Sequence, residues 1–254
     1  MKILARLRSA DSDRGLTLVE VMLSVALLTV VGGLVSTFVV ATQRTTAATS
    51  TRLQNVDKGR LAMDAMAKAL RVAVQPAQVQ QQLGVQGSGA VASSTALTTA
   101  TTTSVTFYAD FGIQGNNTGP DLVTFSVTPN ADGKTAKLTQ SYRQPDPGSA
   151  PNWTYGCTVG TTGCVVVVRT LVPALALPAA NTVFTYYDNA GNVLTPASGG
   201  LTPSQLITVD RVNFTLPVQT PNGYGIGANT VTSDVQLPNA VTGVIATPTP
   251  TAGG

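Results

Sequence analysis

The sequence predicts an α+β protein: a long apolar amino-terminal spine helix packed on a β-rich globular head. Three observations lead there. Residues 16–40 form an apolar run broken by one charge, Glu20. No proline occurs before Pro76, and a polar helical pattern continues over 44–74. Beyond Pro76 the chain turns to Thr, Val, Gly and Pro, in short alternating runs separated by turn signals.

The 16–40 run is long enough to cross the ~30 Å hydrocarbon core of a bilayer as a helix, with some tilt. An ionised carboxylate inside it costs several kcal/mol. Glu20 is therefore tolerated only near an interface, beside a partner, or neutralised. Before the run stands MKILARLRSADSDRG, with four basic and two acidic residues and Gly15 at its end, and LTLVE follows directly.

A basic leader, a glycine, an apolar residue, Thr, two apolar residues, Glu and a long apolar helix resemble the class III signal of type IV prepilins and type II secretion pseudopilins. The resemblance implies cleavage between Gly15 and Leu16 by a membrane prepilin peptidase. It also implies N-methylation of Leu16 by the same enzyme and a role for Glu20 in assembly, five residues into the mature chain. The chemistry has its own logic. Cleavage creates an α-amino cation at Leu16, and in a filament of parallel helices one chain's Glu20 lies near a neighbour's amine. Each charge alone is expensive in such a low-dielectric core, so the pairing sets register. An ordinary secretory signal has a shorter apolar region of ~7 to 15 residues, with its cleavage site after that region. A plain signal anchor, oriented by the leading Lys and Arg, has no need of Gly15 and Glu20 at this spacing.

Past 40 the helix continues with Leu53, Val56, Met63, Leu70 and Val74 expected on one face, ending before Pro76. One helix over about 16–74 is roughly 90 Å long at ~1.5 Å per residue. Major pilins usually carry a proline in the apolar half; this chain has Thr37 in that region. Gly32 and Gly33 offer either local weakness or close packing between membrane helices.

Five segments are expected: a leader at 1–15, the spine helix at 16–75 with 16–40 transmembrane, a flexible connector at 76–103, the head at 104–240 and a disordered tail at 241–254. The connector reading rests on QQQLGVQGSGAVASSTALTTATTT. Strands are expected at 104–109, 122–128, 136–142, 164–172, 182–187, 207–218 and 231–237. Turns are expected at Asp132-Gly133 and at 189–192. VTFYAD, DLVTFSV, FTYYDNAGNVL, ITVDRVNFTL and TSDVQLPNA loosely resemble the larger minor pilins of the PilW kind and the J-type minor pseudopilins.

Cys157 and Cys164 flank TVGTTG, and a head outside the cytoplasm permits a disulfide worth ~2 to 3 kcal/mol. The chain has no histidine, which excludes imidazole catalysis and His-based zinc sites. Asp110, Asp121, Asp188 and Asp210 are the carboxylates available as calcium ligands or general acids, yet each sits where turn and strand ends favour acids for ordinary reasons. No cofactor or metal is expected, and no enzymatic activity. Without the leader the charge is close to balanced and spread out, so nucleic-acid binding is not indicated. A few exposed Lys or Arg at a filament tip would nevertheless suffice for DNA capture.

The expectation is a minor pilin or pseudopilin held in the inner membrane with its head outside the cytoplasm, then incorporated into an extracellular or periplasmic filament. Its expected partners are the prepilin peptidase/methylase, other pilin subunits, the inner-membrane assembly platform and the lipid bilayer. A type II secretion pseudopilus subunit and a single-pass anchored surface adhesin are the alternatives.

Overall fold

The computed structural model describes residues 17–82, 95–111, 119–177, 181–218 and 229–237. The chain divides into two compact units, Met1–Ser50 and Thr51–Gly254. Helix α1 (Leu18–Arg71) supplies everything described in the first unit beyond Thr17. There it is helical through Gly32 and Gly33, where an added Cβ would meet nothing within 4 Å. Its apolar side chains face outward: Leu18, Leu28 and Phe38 are 74%, 72% and 71% exposed. The hydroxyls of this segment turn inward on the helix itself. Ser24, Thr29, Thr37, Thr42 and Thr45 each donate to a backbone carbonyl three or four residues back, at 2.8 to 3.0 Å. Such bonds keep polar groups satisfied where no water is at hand.

Among the described residues of the second unit, residues 51–71 of α1 lead into a short helix α2 (Pro76–Gln82) and nine strands. These are β1 (Leu97–Ala100), β2 (Ser104–Ala109), β3 (Asp121–Pro129), β4 (Thr135–Arg143), β5 (Val166–Ala176), β6 (Phe184–Asp188), β7 (Val193–Leu194), β8 (Val209–Val218) and β9 (Asn229–Gln236), with helix α3 (Pro203–Leu206) before β8. Strands β1 to β5 form an antiparallel meander. Strand β5 touches β8 only at Leu175–Val218, while β8 carries β6 and β7 along one edge and β9 along the other.

Alternation makes the core. In β2 the odd positions Val105, Phe107 and Ala109 are buried, and in β3 so are Val123 and Phe125. Phe107 stacks on Phe125 at 6.0 Å between centroids, and Phe184 meets Phe214 edge-on at 6.1 Å. Tyr186 is fully buried, and its hydroxyl donates to Thr101 O at 2.8 Å. Burial raises the pKa of that phenol.

Helix α1 covers this core with Asn55, Gly59, Ala62, Met63, Met66, Ala67, Ala69 and Leu70. The stripe expected from Leu53 is thus corrected: Leu53 is 60% exposed, whereas Met63, Leu70 and Val74 are buried. Small residues decide the buried face. A Cβ at Gly59 would lie 2.8 Å from Val218 Cγ2, so the helix approaches β8 and β9 too closely for a larger residue. The chain then leaves α1 by joining the sheet. Val74 N–H donates to Tyr108 O at 2.9 Å, and Asp110 N–H to Val72 O at 3.1 Å.

All seven expected strands exist; the one at 104–109 has the expected ends and the others are shifted at one or both. Strand β5 runs on to Ala176 through Pro173, which lies in a stretch of irregular pairing with β4 and therefore owes no ladder donor. Strand β8 starts at Val209, because Thr202 caps α3 just upstream. Helix α2 and strand β1 fall inside the segment expected as a flexible connector. Leu97 and Ala100 of β1 are fully buried there, and this burial outweighs the linker-like composition. The tail at 241–254 lies outside the described residues.

Candidate functional site

The site with chemistry to explain is the start of α1. Thr17 precedes its first residue, and the Thr17 Oγ1 accepts the Glu20 N–H at 3.3 Å, while Thr17 O accepts the N–H groups of Glu20 and Val21 at 3.0 and 3.2 Å. Thr-x-x-Glu is a capping pattern, so Thr17 occupies the cap and Glu20 the third helical position. A carboxylate in the first turn also faces the positive end of the helix dipole. Among the described residues no cation or donor pairs with the Glu20 carboxylate, which stands exposed amid apolar side chains. Gly15 and Leu16, the expected cleavage pair, lie outside the described residues. Among the described residues one helix is long and apolar enough to cross a membrane, and its most apolar window is wholly unburied.

A model of the prokaryotic N-terminal methylation motif matches residues 11–36. The chain carries a prepilin signal. The match supports a type IV pilin-like or pseudopilin-like precursor and points to a structural protein. A prepilin signal implies processing by a prepilin peptidase and assembly with other pilins, and the apolar helix behind it fits membrane anchoring. No curated protein and no solved structure matches the chain.

In the head, Cys157 and Cys164 form the expected disulfide, with Cα atoms 5.8 Å apart. It lies in the long connection from β4 to β5, which Asp146 organises. The Asp146 carboxylate accepts Thr154 Oγ1 and Gly156 N–H at 2.7 Å and Cys157 N–H at 2.9 Å. These bonds, led by Thr154, hold its pKa below the usual carboxylate range. Arg143 donates to the carbonyls of Tyr155 and Cys157 from the end of β4. Trp153 packs against Gly119, where a Cβ would come within 2.2 Å of the indole nitrogen. The pinning of this connection by Asp146 was missed in the sequence, where Asp146 sits in an unremarkable Pro-Asp-Pro-Gly.

The four carboxylates singled out by sequence divide. Asp121 opens β3 opposite Ala109, the residue before Asp110. Burial, then the Asp110 charge, pushes the Asp121 carboxyl up to about 6. Asp188 instead folds its own turn, accepting Ala190 and Asn192 N–H groups and the Asn192 amide at 2.8 to 3.0 Å, with its pKa lowered by those bonds, Asn192 foremost. Asp210 lies in β8. Among the described residues no three acidic or cysteine side chains gather as a metal-binding group.

Proposed function

We propose that the chain is a minor pilin or minor pseudopilin: cut between Gly15 and Leu16, N-methylated on Leu16, parked in the inner membrane by its apolar helix, then incorporated into a type IV pilus-like filament. One observation carries the reading: a lone carboxylate, Glu20, stands on the first turn of α1, in its exposed apolar amino-terminal segment, inside a methylation motif. An isolated carboxylate in that setting is costly, and a neighbour's α-amine created by cleavage supplies its partner. The β-rich head, with its own core and disulfide, supports a subunit that makes specific contacts outside the membrane, in a priming or tip complex.

The test is Glu20→Ala and Glu20→Gln in the native host, with co-purification of other pilin-type subunits as the readout. Both variants should stay in the membrane and lose that association by at least about tenfold. Unchanged association would remove Glu20 from the assembly role.

A further inference from the structure

A groove of about 430 Å³ opens between α1 and the sheet of the head, lined chiefly by Leu61, Ala65, Phe111, Tyr142, Val167 and Arg169. It borders an unusual strand. Residues 166–170 of β5 pair with β4 on one side, but on the other side β5 meets β8 only at Leu175, so this stretch has no neighbouring strand among the described residues. The ladder phase follows from Gln144, whose N–H donates to Val165 O at 3.1 Å. Val167 and Arg169 therefore direct their backbone groups at β4, and Val166, Val168 and Thr170 direct theirs at the open side. Val168 is 65% exposed. An edge rich in β-branched residues, with no proline or lysine across 166–170, is a template for strand addition.

The charges on the groove choose among strands. Asp64 and Lys68 cancel each other in a pair of 2.8 Å. Arg169 donates through Nε to Gln140 Oε1 at 2.6 Å and has no acidic partner among the described residues. The polar lining thus offers one uncompensated cation and spare donors.

We propose that this edge and groove bind an extended acidic-apolar segment of another polypeptide. The segment would add as a strand beside 166–170, with an aliphatic side chain beside Val167 in the groove and, two residues along on the same face, a carboxylate on Arg169. This surface lies in the head and does not depend on the Glu20 reading.

The experiment uses the full chain in lipid nanodiscs and a fluorescent seven-residue peptide, acetyl-Thr-Val-Thr-Asp-Thr-Val-Thr-amide, whose symmetric pattern suits either strand direction. A twin with Lys in place of Asp is the control. Anisotropy should show saturable binding of the acidic peptide and at least about tenfold weaker binding of the lysine twin. Arg169→Glu should invert that preference. Val168→Pro, which removes an edge donor and leaves the β4 ladder intact, should weaken the acidic peptide about tenfold at unchanged melting temperature. No saturation by millimolar peptide, equal binding of the twins, or wild-type binding by Val168→Pro would overturn the proposal.

Discussion

Thr17 acts directly on the backbone of Glu20 in the first turn of α1. The Thr17 hydroxyl holds the Glu20 N–H at 3.3 Å, so the side chain that starts the helix also fixes the turn bearing the carboxylate. Replacing Thr17 by Val keeps the volume and removes the acceptor, which should cost about 1 kcal/mol at the helix start. Thr17→Ser should restore it. Amide exchange at Glu20 and Val21 in detergent micelles reads this directly: faster in Thr17→Val, normal in Thr17→Ser. Asp121 gives the head a pH dependence of known sign. Its folded-state pKa of about 6 exceeds the ordinary 3.8, so the folded head binds the proton more tightly than the unfolded chain. Stability contributed by this group is therefore full below about pH 4 and lost as pH rises toward 6. Asp146 and Asp188, with lowered values, act oppositely and lose their contribution as pH falls below the usual carboxylate range. Asp121→Asn should raise stability at pH 7 by about 1 to 2 kcal/mol, allowing for solvent screening, and flatten the slope between pH 4 and 6 in chemical denaturation.

At the scale of elements, close approach and covalent pinning shape the head. Gly59 lets α1 lie on β8 and β9, and a side chain there must displace Val218. Gly59→Val should destabilise the head by about 1 to 3 kcal/mol, seen as a lower denaturation midpoint. Loss of the Cys157–Cys164 bond in Cys157→Ser should cost about 2 to 3 kcal/mol while leaving the sheet's far-ultraviolet dichroism intact, because the bond closes a loop outside the strands. Elements were legible in proportion to their periodicity. Strand β2 announces itself by Val105, Phe107 and Ala109 on alternate positions, and the Asp132-Gly133 turn by a glycine at φ 62°. Strand β1 does not. Leu-Thr-Thr-Ala resembles the linker around it, and only its pairing with β2 distinguishes it. Helix α3 did leave a signal, since Thr202, Pro203 and Gln205 spell a capping box with proline at the first turn. Leu53 misled because hydrophobicity alone marked it, whereas the buried face of α1 is chosen by small residues that permit contact.

The whole molecule joins a segment whose apolar surface has no covering among the described residues to a head that buries its own core. The first is legible in sequence because bilayer thickness and the cost of a buried charge leave few uses for a run such as 16–40 with Glu20 in it. The edge of β5 is not, since an open strand edge depends on which strands fail to reach it. The function proposed for the chain thus turns on one covalent event, the cut between Gly15 and Leu16. The deciding measurement is the mass of the amino-terminal peptide from native-host membranes, with and without the prepilin peptidase. A chain starting at N-methyl-Leu16 only when the peptidase is present is the predicted result; residues 1–15 retained in both would contradict the account and favour a permanently anchored surface protein.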